Sequence, residues 1–135
     1  MMALRETLKK NQLRVLEKLE ATKGPLSAYT LLDQLRDDGF RAPLQVYRAL
    51  DALIKDGFVH RLESINAFVA CAEPHDHSHG MAAFAICDIC GEAAELSDHA
   101  IEHQLDDWVR STGFVSKKAV IEFRGTCARC VKVAA

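Results

Sequence analysis

This chain lacks any apolar run approaching the roughly 18 residues that a membrane-spanning helix requires. Its first residues set Arg5, Lys9 and Lys10 among apolar positions, so they also lack the apolar core of a secretory leader. A soluble, cytoplasmic protein with no membrane partner is expected. Missing too is a basic surplus: the formal net charge is −2, without the global signature that nucleic-acid binders often carry. That total conceals an asymmetry, because residues 1–70 hold 11 Lys and Arg against 9 Asp and Glu, whereas residues 71–135 hold 6 against 10. A mildly basic half joined to an acidic half suits a DNA module attached to something else.

Cysteine, by contrast, is plentiful, with five in 135 residues. The cytosol keeps thiols reduced, so paired cysteines here point to metal or redox chemistry rather than to a disulfide scaffold. A chain of this length makes one ordinary domain or two small ones, and small domains often supplement a limited core with metal or oligomerisation.

Apolar residues Leu4, Leu8, Val15, Leu16 and Leu19 recur at helical spacing until Gly24-Pro25, which predicts a first helix. Ser27 is placed to cap a second, carrying Leu31, Leu32 and Leu35 and ending at Asp37-Asp38-Gly39. Pro43 suits the first turn of a third, whose Val46, Leu50, Leu53 and Ile54 form a stripe that Gly57 closes. Two extended segments follow, 58–62 and 67–71, around a polar turn at Glu63, Ser64 and Asn66. Three helices and a hairpin are the order of a winged helix-turn-helix, the alternative being a small helical bundle that ends in a hairpin.

Residues 72–80 are polar, include Pro74 and Gly80, and read as a hinge or linker. Beyond them 81–87 is strand-like, Ile101, Leu105, Trp108 and Val109 mark one face of a helix over 98–111, and 115–123 is extended again. The expected fold class is therefore α+β: a winged-helix DNA-binding domain over 1–71, the linker, and a small α/β dimerisation and metal-binding domain over 81–135. Trp108 is expected in that domain's core or at a subunit interface.

Cys87-Asp88-Ile89-Cys90 and Cys127-Ala128-Arg129-Cys130 are two C-x-x-C knuckles. Each spacing lets both thiolates face one ion, and two knuckles complete the tetrahedral four-thiolate shell of a structural Zn2+. A thioredoxin-like redox pair is the alternative for either knuckle, but it leaves the other unexplained. The 36 residues between the knuckles exceed a minimal zinc ribbon, so a helix and strand must bring the pairs together. His60, Cys71, His75, His77 and His79 gather around the linker. Singly, they read as a part-buried strand histidine and a solvated loop; together with an unpaired fifth cysteine they suggest a second metal site.

Val46-Tyr47-Arg48-Ala49-Leu50, Gly57-Phe58-Val59-His60, the His-rich linker and both knuckles resemble the ferric uptake regulator family, and the likeness covers nearly the whole chain. Leu26-Ser27-Ala28-Tyr29, Tyr47-Arg48-Ala49-Leu50-Asp51 and the run from Val59-His60-Arg61-Leu62-Glu63-Ser64 to Cys71 look like its zinc uptake regulator branch. The resemblance implies a non-enzymatic, zinc-responsive repressor of zinc uptake genes, with two Zn2+ sites per subunit. By that resemblance His60, Cys71, His79 and Glu95 match the regulatory site, with His77 a rival for the place of His79. Iron, manganese or peroxide sensing are the alternatives within the family. A thiolate with two imidazoles and one carboxylate suits Zn2+, whereas iron or manganese favours oxygen and nitrogen without thiolate. For the variable third site of some iron regulators Glu102 is available, but the later histidine is replaced around Ala119.

The partner implied is double-stranded operator DNA bound by a homodimer, in which the metal fixes the separation of two recognition helices. Gln45, Tyr47 and Arg48 on the third helix are candidates for the groove, with packing the alternative for Tyr47 and a surface salt bridge for Arg48. Lys9, Lys10 and Arg14 on the first helix, and Arg61 on the wing, are candidates for the DNA backbone. Lys9-Lys10-Asn11-Gln12 departs from the family's usual Thr-Pro-Gln-Arg. Asp33 and Arg36 match positions that pair adjacent dimers on one operator, an i,i+3 helix-surface pair being the ordinary explanation. Two other classes are open. Cys71-Ala72-Glu73 followed by Cys87-x-x-Cys90 faintly echoes a zinc deaminase, although Ile86 stands where proline is required and the second knuckle is unexplained. A zinc-stabilised adaptor that binds protein instead of DNA is the remaining reading.

Overall fold

Glycine and proline punctuation at 24–25, 43 and 57 separates three helices in the computed structural model, which describes residues 5–71, 81–96, 98–117 and 119–134. The chain divides into two compact units, Met1–His75 and Asp76–Ala135. The expected linker, with His75, His77 and His79, lies outside the described residues.

In the first unit the periodicity that starts at Leu4 does not make one continuous helix. Arg5–Thr7 is a separate 3-10 turn, and α1 is Lys10–Ala21. Lys9 is extended, with φ −70° and ψ 161°, and its N–H donates to the Gln12 Oε1 at 3.2 Å, which sets the helix start there. α2, Ala28–Gln34, starts as expected: Thr30 N–H donates to the Ser27 hydroxyl at 3.1 Å. A 3-10 turn over Arg36–Asp38 then ends at Gly39, whose φ of 95° favours glycine. α3, Pro43–Lys55, has proline at its start, where the missing N–H costs no hydrogen bond.

Strands β1, Val59–Leu62, and β2, Ala67–Ala70, pair antiparallel, with Val59 opposite Ala70 and Leu62 opposite Ala67. Asn66 closes the turn at φ 49°, a left-handed conformation that its short polar side chain tolerates. A bridge between Leu26 and Phe68, unannounced by local pattern, ties the segment before α2 to the hairpin. Val15, Leu16, Leu31, Leu50, Leu53 and Phe68 are among the residues that fill one core from all three helices and the hairpin. Each fully buried large side chain in that core contributes about 1.5–3 kcal/mol relative to the same side chain exposed.

The second unit reads differently. β3, Met81–Cys87, lies between β4, Ala93–Leu96, to which it is antiparallel, and β5, Ala119–Gly125, to which it is parallel. A parallel partner requires a crossover, and α4, His99–Thr112, lies within it. Asp98 caps α4 by accepting from Ala100 and Ile101 N–H, and Gly113 ends it at φ 74°. The short helix α5, Ala128–Ala134, follows β5. Only Ala83, Phe84, Ile86 and Cys87 are buried among the described hydrophobics of this unit. Ile101, Leu105 and Trp108 of α4 are exposed, Trp108 at 61 %, so Trp108 is not a core residue of the single chain.

Candidate metal centres and nucleic-acid face

Cys87 ends β3, Cys90 lies in the turn after it, Cys127 links β5 to α5, and Cys130 sits on α5. Parallel pairing of β3 with β5, which brings Cys87 opposite Gly125, carries the second knuckle to the first. All four sulfurs lie within 4.8 Å of one another. Four thiolates bound to one Zn2+ at about 2.3 Å would stand roughly 3.8 Å apart along the edges of a tetrahedron. The Cys90 and Cys127 sulfurs are 3.8 Å apart, so the donor set fits that ion.

The surroundings prepare the sulfurs unequally. Backbone N–H groups of Cys127, Cys90 and Ile89 each donate to the Cys87 Sγ at 3.4 Å and lower that thiol from an ordinary 9.0 to about 6, Cys127 contributing most. Cys127 is also lowered, chiefly by the Cys130 N–H. Cys130 is pushed up to about 12, first by its hydrogen bond to the Cys127 sulfur and then by burial. Two ion pairs cross between the knuckles' surroundings. Arg124 of β5 donates to Asp88 at 2.9 and 3.1 Å, and Arg129 of α5 pairs with Glu92. Both pairs are exposed to solvent and link the chain beside one knuckle to the chain beside the other.

A second donor pair lies in the first unit. His60 is on β1 and Cys71 follows β2, and their ligand atoms are within 4.8 Å of each other. Cys71 is buried, and its N–H donates to the Phe58 carbonyl at 2.8 Å. An imidazole nitrogen beside a thiol is a donor set suited to Zn2+. Glu95, half-buried on β4, belongs to the second unit; His79 and its rival His77 lie outside the described residues. Because Cys87 and Cys90 are assembled with Cys127 and Cys130, they are not left to form the open three-ligand centre of a deaminase with Cys71.

The expected DNA-contacting residues fall into two groups. Arg14 pairs with Asp38, and Arg61 folds back over the Phe68 ring at 5.7 Å from its centroid and donates to the Asn66 Oδ1 at 2.9 Å. Tyr47 is partly buried against the core, while Arg48 is exposed on α3 and Lys9 and Lys10 are exposed where α1 begins. Gln45 serves its own helix: its Oε1 accepts from Arg41 N–H at 2.6 Å and Ala42 N–H at 3.1 Å. Gln12, which sequence reasoning did not single out, does the same for α1, and its signal was a glutamine three residues after the helix-starting Lys9. Asp33 and Arg36 pair with each other at 3.2 Å on the exposed surface of the first unit.

A family model described as the ferric uptake regulator family matches residues 3–124. A zinc uptake regulation protein of Escherichia coli (strain K12) is 41% identical over 125 residues, covering 92% of this chain and 72% of that protein. Among solved structures, a zinc uptake regulator complexed with zinc and DNA has 38% sequence identity and a TM-score of 0.86, covering 93% of this chain and 84% of that one. The holo form of XcZur has 42% identity and a TM-score of 0.82, over 93% of this chain and 86% of its own.

Proposed function

From its membership of the ferric uptake regulator family, we propose that this chain is a zinc-responsive transcriptional repressor that binds operator DNA as a homodimer and controls zinc uptake genes. The observation that carries the choice of metal is Cys71 beside His60, since a buried thiol next to an imidazole selects zinc over iron or manganese. The similarity to a zinc uptake regulator complexed with zinc and DNA supports the same reading. Cys87, Cys90, Cys127 and Cys130 hold a structural Zn2+, and four protein thiolates leave no open position for a substrate, which argues against an enzyme. No helix among the described residues is long and apolar enough to cross a membrane, and we infer a cytoplasmic protein.

In this reading the regulatory ligands are His60, Cys71, Glu95 and a linker histidine, His79 with His77 as its rival. Residues 1–71 bind DNA, 72–80 form the hinge, and 81–135 dimerise. Zn2+ held by these ligands would supply a fixed cross-link. His60 and Cys71 would hold that cross-link from the wing and Glu95 from the second unit, which would fix the separation of the recognition helices in a dimer. The effect on DNA affinity depends on the two arrangements binding zinc differently, and a coupling of about 1–3 kcal/mol is sufficient for regulation. Exposed Ile101, Leu105 and Trp108 on α4 support dimerisation through the second unit.

The test is DNA binding by Cys71→Ser against the zinc-loaded wild type, with bound zinc measured. The expected outcome is one fewer zinc per subunit, a retained dimer, and loss of high-affinity binding. A Cys71→Ser protein that answered zinc as the wild type does would overturn the switch.

A further inference from the structure

Between the start of α1 and the exposed side of α3 lies a cleft of about 520 Å³ whose lining includes Lys9, Lys10, Asn11, Gln12, Gln45 and Arg48. No carboxylate lines it, and none of its three cations enters an ion pair among the described residues. Arg14 and Arg61, nominally equal candidates, are instead held by Asp38 and by Asn66.

The two glutamines make the cleft specific. A backbone N–H can pair only with an acceptor, so the caps at Lys9, Arg41 and Ala42 fix the oxygen of each amide on the backbone. What each amide has left is its NH2, and neither has a partner among the described residues. The cleft therefore gathers ammonium, guanidinium and amide donors that are not engaged with protein acceptors. A phosphodiester is the complementary ligand, carrying one negative charge and acceptor oxygens without a donor.

Building on the DNA-binding reading above, we propose that this cleft seats a backbone phosphate of duplex DNA, with the Gln12 and Gln45 amides as donors beside Lys9 and Lys10. Both glutamines thus do two jobs at once, starting a helix through oxygen and holding DNA through nitrogen. The Lys9-Lys10-Asn11-Gln12 run supplies this seat with residues of its own.

Glutamate at the same position of a helix still accepts from the capped N–H groups and suits the positive helix end, so Gln12→Glu and Gln45→Glu keep the caps while turning a donor into a charged acceptor. Binding is measured for zinc-loaded wild type, both single variants and the double variant, on a random-sequence duplex and on duplexes selected from a random pool by the wild type. Gln104→Glu, which places the same charge on α4, is the control, and thermal unfolding checks the fold.

The expected result is unchanged unfolding and a loss of at least about tenfold per variant, equal on both kinds of duplex, with Gln104→Glu near wild type. Lys10→Gln should lower the slope of log affinity against log salt by about 1. Variants that bind both duplexes as tightly as wild type, or that lose only the selected one, overturn the phosphate seat and leave the repressor reading standing. A zinc-loaded wild type that enriches no duplex removes both.

Discussion

Cys87 and Cys130 illustrate how much of the metal chemistry is set by neighbours. Three amide hydrogens favour the Cys87 thiolate, and a proton shared with Cys127 favours the Cys130 thiol. The consequence for a chelator-treated protein follows from linkage. A lowered thiol stabilises the fold most above its ordinary 9.0, and that contribution is lost as pH falls through about 6; the raised thiol's contribution is lost as pH climbs from 9.0 through about 12. Resistance of the metal-free protein to urea should therefore rise between pH 6 and 9 and fall beyond it. Cys87→Ser should flatten the rising limb; a limb that persisted unchanged in that variant would place its origin elsewhere. The clustering of the four cysteines was legible from their spacing, whereas His60 beside Cys71 was legible only through the gathering of ligand types around the linker. The partners of the cations were not: Arg14 meets Asp38 across 24 positions, and Arg124 meets Asp88 across 36. No local pattern encodes pairs that the fold alone brings together.

The elements that announced themselves are those with a chemical start and stop. Ser27, Pro43, Asp98, Gly39 and Gly113 each sit where a cap or a left-handed residue is needed, and α2, α3 and α4 follow from them. α1 was misread in length because Leu4 and Leu8 continue its periodicity, while the glutamine that caps it competes only once the backbone turns at Lys9. β4 and α5, four and seven residues long, are too short to display a period of their own and exist through what they pack against. α4 has the opposite character: a clear apolar face, Ile101, Leu105 and Trp108, without cover in the single chain. Leu105→Asp or Trp108→Lys should shift sedimentation from dimer to monomer while the first unit keeps its unfolding midpoint. Trp108 is the chain's one tryptophan, so its emission should move to longer wavelength on dissociation; emission indifferent to dilution and to Leu105→Asp would place the subunit contact away from α4.

For the molecule as a whole, the two units rest on different sources of stability. The first has a continuous apolar core, and the second buries few large side chains and draws its four cysteines to one point. Zinc binding in such a unit is coupled to folding. Cys87→Ser should accordingly lower the unfolding temperature of the second unit and leave the first unit's calorimetric transition at nearly its original temperature. Simultaneous loss of both transitions would mean that the units fold as one.

Strand β3 has its antiparallel neighbour within reach almost at once, yet its parallel neighbour begins only at Ala119, beyond the crossover. On a ribosome, then, the first unit can be complete while Cys87 and Cys90 still lack Cys127 and Cys130. Until Cys130 emerges, the cluster of four sulfurs cannot close. The order of synthesis therefore places that closure after the first unit is complete.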